Sequence, residues 1–222
     1  MLKHTKRRRL SAGNDVVTEE DMMIAAGEMA QMSGFDMSPD RVPRGIECEE
    51  NHIYFYCPVG DREALELNRL IRRLDIEMSY LQRRLDCGVV PIHLHIHSPG
   101  GSVFSGLSIY DSIKASKTPI YTYVEGSAAS AATLIACAGE KGNRFMGKSS
   151  FMLIHQPHLE WSGKLDDFRD EIENQKELYD RLVQIYLENT KFKKKELKEL
   201  LEHELWLNPE KCIEKGLVDK VL

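Results

Sequence analysis

The chain has 222 residues, of which 42% are hydrophobic and 29% are charged, and its formal net charge is -5. These values are typical of a soluble globular protein built from one domain or from one domain with an appendage. They exclude a membrane-spanning protein, because no apolar run approaches the roughly 20 residues that a span requires, and a negative net charge gives no reason to expect a nucleic-acid-binding protein.

Residues 1–45 differ from the rest of the chain. They start with the basic stretch KHTKRRR, carry most of the methionines and end in the breaker-rich SGFDMSPDRVPRG. We predict a short amphipathic helix around residues 19–32 and then a linker. The basic start lacks the apolar core of a secretory signal, and acidic residues follow it too soon for a transit peptide. This segment is therefore predicted to be an N-terminal extension preceding a domain at 46–222.

From Ile46 onward, short apolar runs alternate with longer amphipathic stretches. Strands are predicted at 52–59, 89–96, 119–126, 144–147, 151–155 and 217–222. Helices are predicted at 62–85, 102–116, 130–139, 164–190 and 193–204, the fourth with apolar residues every three or four positions. Repeated alternation of strand and helix predicts the α/β class with largely parallel strand pairing.

The five cysteines are widely spaced and form no CxxC pair. An odd number of cysteines in this arrangement favours a reducing compartment over a disulfide framework or a cysteine zinc site. We therefore expect a cytoplasmic protein.

Ser130, in the stretch EGSAAS, is the first candidate site residue, at the junction of a predicted strand and helix. A hydroxyl there lies beside unsatisfied backbone N–H groups and the positive end of the helix dipole. Its small neighbours would let a substrate backbone approach closely. The alternative is an N-cap serine on an alanine-rich core helix.

Two further motifs carry candidate site residues. His155, in FMLIHQP, ends an apolar strand, which is where α/β sheets place their sites, although a lone histidine there can also be structural. In HSPGGSV, the pair Gly100 and Gly101 precedes a helix and permits an unusual turn with exposed N–H groups. Such a turn can cradle an oxyanion, or it can be an ordinary turn.

His93, His95 and His97 alternate along a predicted strand and therefore share one face of the sheet. The outer two would be roughly 13 Å apart, which is too far for one metal ion. We predict a sheet-face cluster without a metal, with His97 beside the SPGG turn and close to the site.

The motifs SPGGSVFSGLSIYDSI, EGSAAS and GNRFMGKSSFMLIHQP, in this order, resemble those of the ClpP family, the proteolytic subunits of Clp proteases. The resemblance runs from about Ile46 to Leu222 and includes the closing GLVDKVL. It implies a crotonase-like α/β fold of repeated β-β-α units with a protruding handle helix. Here that helix is 164–190, and the stretch WSGK leads into it. It also implies serine peptide hydrolysis without a cofactor or a metal.

The same resemblance implies the site residues. By the match of EGSAAS, Ser130 takes the position of the nucleophile, and by the match of MLIHQP, His155 takes that of the general base. The mechanism needs both residues because a serine hydroxyl is a poor nucleophile until an imidazole accepts its proton. The backbone N–H groups of Gly101 and Ala131 match the oxyanion donors. An extended substrate would bind beside Gly101, Ser102 and Val103.

The third triad residue departs from the family pattern. Members of the family usually carry an aspartate where an ungapped alignment of LWLNPEKCIEKGLVD places Glu204. A glutamate can orient an imidazole, but its longer side chain requires a more distant backbone. Glu202 and His203 are the neighbouring alternatives, and a solvated Glu204 beside a Ser-His dyad is another.

The resemblance implies two stacked heptameric rings, a tetradecamer, that degrade unfolded polypeptide and receive long substrates from an AAA+ unfoldase such as a ClpX- or ClpA-type ATPase. No nucleotide site is predicted in this chain. The long N-terminal segment leaves open whether it is a propeptide or a variant axial gate. Two rival hypotheses are an inactive or weakly active subunit of a mixed ring, and another enzyme of this fold, such as an acyl-CoA hydratase or a Ser-Lys signal-peptide peptidase.

Overall fold

A mostly parallel sheet is the centre of the computed structural model, which describes residues 45–158 and 164–222. Its strands are β1 (Ile46–Glu49), β2 (His52–Phe55), β3 (Ile92–Ser98), β4 (Ile120–Ala129), β5 (Arg144–Met146), β6 (Phe151–Leu153), β7 (Trp206–Leu207) and β8 (Lys220–Val221). The helices are α1 (Asp61–Leu85), α2 (Val103–Ala115), α3 (Ala131–Ala138), α4 (Leu165–Asn189), α5 (Lys194–Leu201) and α6 (Pro209–Lys215). The helix predicted at 19–32 and the WSG segment at 161–163 lie outside the described residues.

The strands follow the order β1-β2-β3-β4-β5-β8, and β6 pairs with the last residues of β4. Only the β1–β2 and β6–β7 pairs are antiparallel among the described strands. Parallel neighbours require a crossover, and α1 and α2 supply it between β2, β3 and β4. This arrangement confirms the predicted α/β class with largely parallel pairing.

The core lies between one face of the sheet and the helices. Ile92, Leu94 and Ile96 of β3 are fully buried, because alternate side chains of a strand point to the same face. Every residue of α3 is buried. A helix that is apolar on all sides must be covered on all sides, and its small side chains allow that close packing.

The long helix α4 is buried only toward its C-terminal end. Its buried residues are Leu182, Val183, Ile185, Tyr186 and Asn189. The preceding turns, from Leu165 to Arg181, contain no buried residue, as a helix projecting from the domain would. None of the helices that the structure describes is long and apolar enough to cross a membrane.

A buried ion pair anchors the C-terminal segment. Arg144 of β5 donates from Nε and Nη2 to the two carboxylate oxygens of Asp219, at 2.8 and 2.7 Å, and from Nη1 to the carbonyl of Asn189 at 2.7 Å. The Arg144 side chain is only 5% exposed. The pair therefore joins β5, α4 and the segment that forms β8.

Several predicted boundaries were wrong. The helix predicted at 193–204 ends at Leu201, whose carbonyl accepts a hydrogen bond from the Gln156 N–H at 3.0 Å, so Glu204 lies outside a helix. Strand β4 extends to Ala129 because its last residues pair with β6. Helix α6 was not predicted, although Asn208 caps it and Pro209 occupies its first turn, both recognisable start signals.

Candidate active site

Ser130 occupies a sharp turn between β4 and α3. Its φ of 54° and ψ of -127° are uncommon for a residue with a side chain. The Ser130 N–H donates to the Leu153 carbonyl at 2.8 Å, and its own carbonyl accepts from the Thr133 N–H at 2.9 Å. Ser130 is thus at the N-cap position, but its side chain makes no capping hydrogen bond. The hydroxyl therefore does not cap the N-terminus of α3.

The SPGG loop lies directly against this turn. A Cβ built on Gly100 would be 2.7 Å from the Ser130 Cβ and 3.1 Å from the Ala131 nitrogen. On its other side, the loop is held by Val59, whose N–H donates to the Gly100 carbonyl at 2.9 Å and whose carbonyl accepts from the Ser102 N–H at 2.8 Å. Only glycine allows so close an approach with φ of 87° at position 100.

The backbone N–H groups of Gly101 and Ala131 donate no hydrogen bond within the described part of the chain. Ala131 begins α3, so its N–H is one of the unsatisfied donors at a helix N-terminus. Two such donors flanking a serine are suited to hold an oxyanion. The predicted donors are thus available, and the Ser102 hydroxyl serves as the cap of α2 by accepting from the Ser105 N–H at 3.3 Å.

His155 follows β6, which runs parallel to the end of β4. Ala129 pairs with Leu153, so Ser130 and His155 lie just beyond the carboxyl ends of neighbouring strands. The His155 side chain is 14% exposed. Burial lowers the pKa of His155, the nearby His158 lowers it further, and the Glu204 charge acts in the opposite direction. The imidazole is therefore favoured in the neutral form that can accept a proton.

Glu204 faces this imidazole from the loop after α5. Its Oε1 lies 3.8 Å from Nδ1 of His155, which is within ion-pair range but longer than a hydrogen bond. The Glu204 side chain is 67% exposed. The described ion pairs and hydrogen bonds join neither Glu202 nor His203 to His155, so Glu204 is the one of these three that the structure brings to it.

Sequence reasoning missed His158. Its Nε2 lies 3.7 Å from the same Oε1 of Glu204, and its ring is 5.1 Å from that of His155. One potential metal-binding atom from each of His155, His158 and Glu204 lies within 4.8 Å of those of the other two. The sequence signal was a second histidine three residues after His155. Because Pro157 lies between the two histidines, the sequence does not indicate in which direction the His158 side chain points.

The predicted histidine cluster lies on the open face of the sheet, and His52 joins it. His95 contacts His52 at 3.0 Å and Glu125 at 2.8 Å, while Nδ1 of His93 lies 2.7 Å from the Tyr123 hydroxyl. Burial and the two neighbouring histidines lower the pKa of His93 to about 4. Each of these rings therefore has a protein partner.

His97 connects this face to the site. Its Nδ1 accepts a hydrogen bond from the Ser127 N–H at 3.1 Å. Ser127 lies in β4 on the approach to Ser130. His97 therefore contacts β4 three residues before Ser130, and its predicted closeness to the site stays a prediction.

The stretch GNRFMGKS at 142–149 has the spacing of a phosphate-binding loop, GxxxxGK[ST]. Such a loop must lie between a strand and a helix N-terminus. Here its middle residues form β5, and β6 is the next element. The segment therefore does not form a phosphate cradle.

Comparisons with known proteins agree with this architecture. The profile of the Clp protease family matches residues 77–222. Over 131 residues, 59% of this chain, the sequence is 33% identical to the ATP-dependent Clp protease proteolytic subunit of Deinococcus radiodurans. The chain spans 64% of the length of that curated relative.

Among solved structures, the fold is similar to that of ClpP1 from Listeria monocytogenes, determined as a point mutant. The TM-score is 0.64 at 24% identity, covering 75% of this chain and 88% of that one. This likeness concerns the fold, while the profile match extends over more than half of the sequence. The chain therefore belongs to the Clp protease family and has the crotonase-like α/β fold of the ClpP proteolytic subunits.

Proposed function

We propose that this chain is a serine endopeptidase that degrades unfolded polypeptides inside a ring-shaped chamber. The observation that carries the proposal is the turn at Ser130. Its hydroxyl makes no capping bond, two unpartnered N–H groups of the described chain flank it, and His155 follows the adjacent parallel strand. A turn that presents a serine in this way is suited to nucleophilic attack.

In the proposed reaction, His155 Nε2 accepts the proton of the Ser130 hydroxyl while Oγ attacks the peptide carbonyl. The N–H groups of Gly101 and Ala131 hold the oxyanion that forms. His155 then donates its proton to the leaving amine, and an acyl-enzyme remains on Ser130. Water activated by His155 hydrolyses this ester in the second half of the reaction. No step requires a cofactor.

Glu204 is the proposed third member of the triad. A carboxylate facing Nδ1 keeps the N–H on that atom and stabilises the imidazolium that forms during the reaction. We propose that the 3.8 Å separation between Glu204 Oε1 and His155 Nδ1 shortens to a hydrogen bond when substrate binds. Catalytic hydrogen bonds are often long in a free enzyme.

An extended polypeptide is the proposed substrate. It would bind beside Gly101, Ser102 and Val103 through backbone hydrogen bonds, since the Ser102 side chain already caps α2. The projecting part of α4 would join two heptameric rings. An AAA+ unfoldase of the ClpX or ClpA type would supply long substrates, and the cytoplasm is the proposed location.

A fluorophosphonate probe tests the proposal directly, because it phosphonylates only an activated serine. We expect covalent labelling of the purified chain, mapped by mass spectrometry to Ser130. Labelling elsewhere, or none, would contradict the proposed chemistry.

The second candidate function is an inactive or weakly active subunit in a mixed ring. It is favoured by one observation, the exposed Glu204 that is shared between His155 and His158. In that case the probe would label a partner subunit and not this chain.

A further inference from the structure

We propose that His155, His158 and Glu204 form a binding site for a divalent transition-metal ion, with Zn²⁺ as the best-matched ion, and that occupation of this site inhibits the peptidase. The proposal rests on the proposed function in one respect, the role of His155 as general base. The metal site itself stands on the geometry of the three side chains.

Both imidazoles face the same carboxylate oxygen. Glu204 Oε1 lies 3.8 Å from His155 Nδ1 and 3.7 Å from His158 Nε2, and one potential ligand atom of each residue lies within 4.8 Å of those of the other two. Tetrahedral Zn²⁺ with bonds of about 2.0–2.1 Å holds its ligand atoms roughly 3.4 Å apart. The side chains therefore need to close by little more than an ångström.

The exposure of the three residues makes this closure easy. His158 and Glu204 are 76% and 67% exposed, so both can change rotamer without disturbing the core. His155 is 14% exposed and supplies a fixed point. Solvent can reach the cluster and provide a fourth ligand, the arrangement typical of zinc bound by three protein residues.

The donor atoms define the class of ion. Two imidazole nitrogens and one carboxylate oxygen suit Zn²⁺ and Co²⁺, whereas Mg²⁺ and Ca²⁺ prefer sites made of oxygen atoms. Affinity is therefore expected for transition metals and not for the hard cations.

Coordination would remove the general base. When Nδ1 of His155 binds a metal through its lone pair, the single proton of the neutral ring must be on Nε2. That nitrogen then cannot accept the Ser130 proton. Glu204 is occupied at the same time. The proton moves from Nδ1 to Nε2 through solvent, so the ring neither gains nor loses a proton overall.

Metal binding can be measured on the full chain without any assay of activity. We would titrate Zn²⁺ into the parent, His158→Leu and His203→Leu in competition with a chromogenic chelator. His203→Leu is the matched control, because it removes an exposed histidine from the loop that carries Glu204. We expect His158→Leu to lose at least about tenfold in affinity at one site, since even the loss of an outer-shell partner costs about that much.

Co²⁺ identifies the ligands. We expect a visible absorption band in the parent and the control, without a sulfur-to-metal charge-transfer band, and loss of the visible band in His158→Leu. A charge-transfer band would assign the ion to cysteines and overturn the proposal. Equal Zn²⁺ affinity in the parent and His158→Leu would also overturn it.

The inhibitory effect is measured by the rate of fluorophosphonate labelling, with each variant compared with its own metal-free rate. We expect Zn²⁺ to slow labelling of the parent and His203→Leu at least about tenfold more than that of His158→Leu, in line with the affinity difference. A chelator should restore the rate, and Mg²⁺ should have no effect. Zinc bound at this cluster with unchanged labelling would overturn the inhibition.

Failure of the two proposals can be told apart. If the metal-free parent is never labelled, the proposed function is wrong, and the proposed inhibition of the peptidase by metal is then wrong as well. The Zn²⁺ and Co²⁺ measurements still support or overturn the binding site on their own.

Discussion

Gly100 lies so close to Ser130 that a Cβ built on the glycine would be 2.7 Å from the Ser130 Cβ. Both residues have positive φ, 87° at Gly100 and 54° at Ser130. This contact brings the SPGG loop against the N-terminus of α3. It thereby brings together the segments that carry the N–H groups of Gly101 and Ala131, which are far apart in the chain. A small change at the contact should therefore disturb both donors.

Replacing Gly100 with alanine should destabilise the chain by more than about 1 kcal/mol, because alanine is unfavourable at positive φ and its Cβ would overlap the Ser130 turn. Fluorophosphonate labelling should slow by about 100-fold through misplacement of the donors. Chemical denaturation and labelling rates measure the two effects. Gly88→Ala is the control, since a Cβ there meets nothing within 4 Å. Equal stability of the two variants would contradict this account.

Ser130→Ala should abolish cleavage of a fluorogenic peptide while leaving the fold and assembly intact. The hydroxyl makes no capping hydrogen bond, so its removal leaves no helix donor newly unsatisfied. Ser127→Ala, in β4 three residues before Ser130, should retain activity. Retained hydrolysis by purified Ser130→Ala would rule out this residue as the nucleophile.

Glu204→Gln should lower kcat by about 10²–10⁴-fold with little change in KM, because glutamine keeps the shape but lacks the charge that stabilises the imidazolium. Glu204→Asp restores the usual family residue on a backbone that suits a longer side chain, so partial activity is expected. Steady-state kinetics with Glu202→Gln as the control measure both. If both variants of Glu204 cleave at the parental rate, Glu204 is not the third member, loss of activity in Glu202→Gln would point to Glu202, and His203 is the next position to change.

Substituting Phe168 and Ile172 of α4 with glutamate should split the proposed pair of stacked rings into single rings. Both residues are partly exposed and lie in the projecting part of the helix that is proposed to join the two rings, so negative charges there should repel the partner surface. Light scattering should show half the parental mass. Glu173→Gln, an exposed change on the same helix, should keep the parental mass, and an unchanged mass in the double variant would refute the interface.

Asp219→Asn should destabilise the chain at pH 7 by about 3 kcal/mol, because it leaves Arg144 buried without its charged partner. Burial alone would raise the pKa of Asp219, but hydrogen bonds and charge from Arg144 outweigh it and hold that pKa below its ordinary value. The pair therefore contributes fully above about pH 4, and the contribution is lost as the pH falls through the folded-state pKa.

Urea denaturation across this pH range should show the gap between the parent and Asp219→Asn narrowing in acid. Glu210→Gln, which removes an exposed carboxylate, serves as the control. A gap that stays constant down to the lowest accessible pH would mean that the ionised pair is not its source.

The sequence by itself determined the class of fold and supplied the candidate residues of the site. Alternating apolar residues predicted β3, and apolar residues every three or four positions predicted α4, because these patterns are local properties of a strand and a helix. Ser130 and His155 were candidates because each lies where an apolar strand meets a breaker or a run of small residues, and their proposed roles as nucleophile and base came from the resemblance to the ClpP family.

Only the tertiary structure decided how distant segments meet. The positive φ of Ser130 depends on the Leu153 carbonyl and on Gly100, and the Arg144–Asp219 pair joins residues separated by 75 positions. Likewise, His155 and His158 face the same oxygen of Glu204 only because α5 ends at Leu201 and the loop beyond it turns toward β6. Such contacts depend on long-range packing, which overrides local propensity and leaves no periodic signal in the sequence.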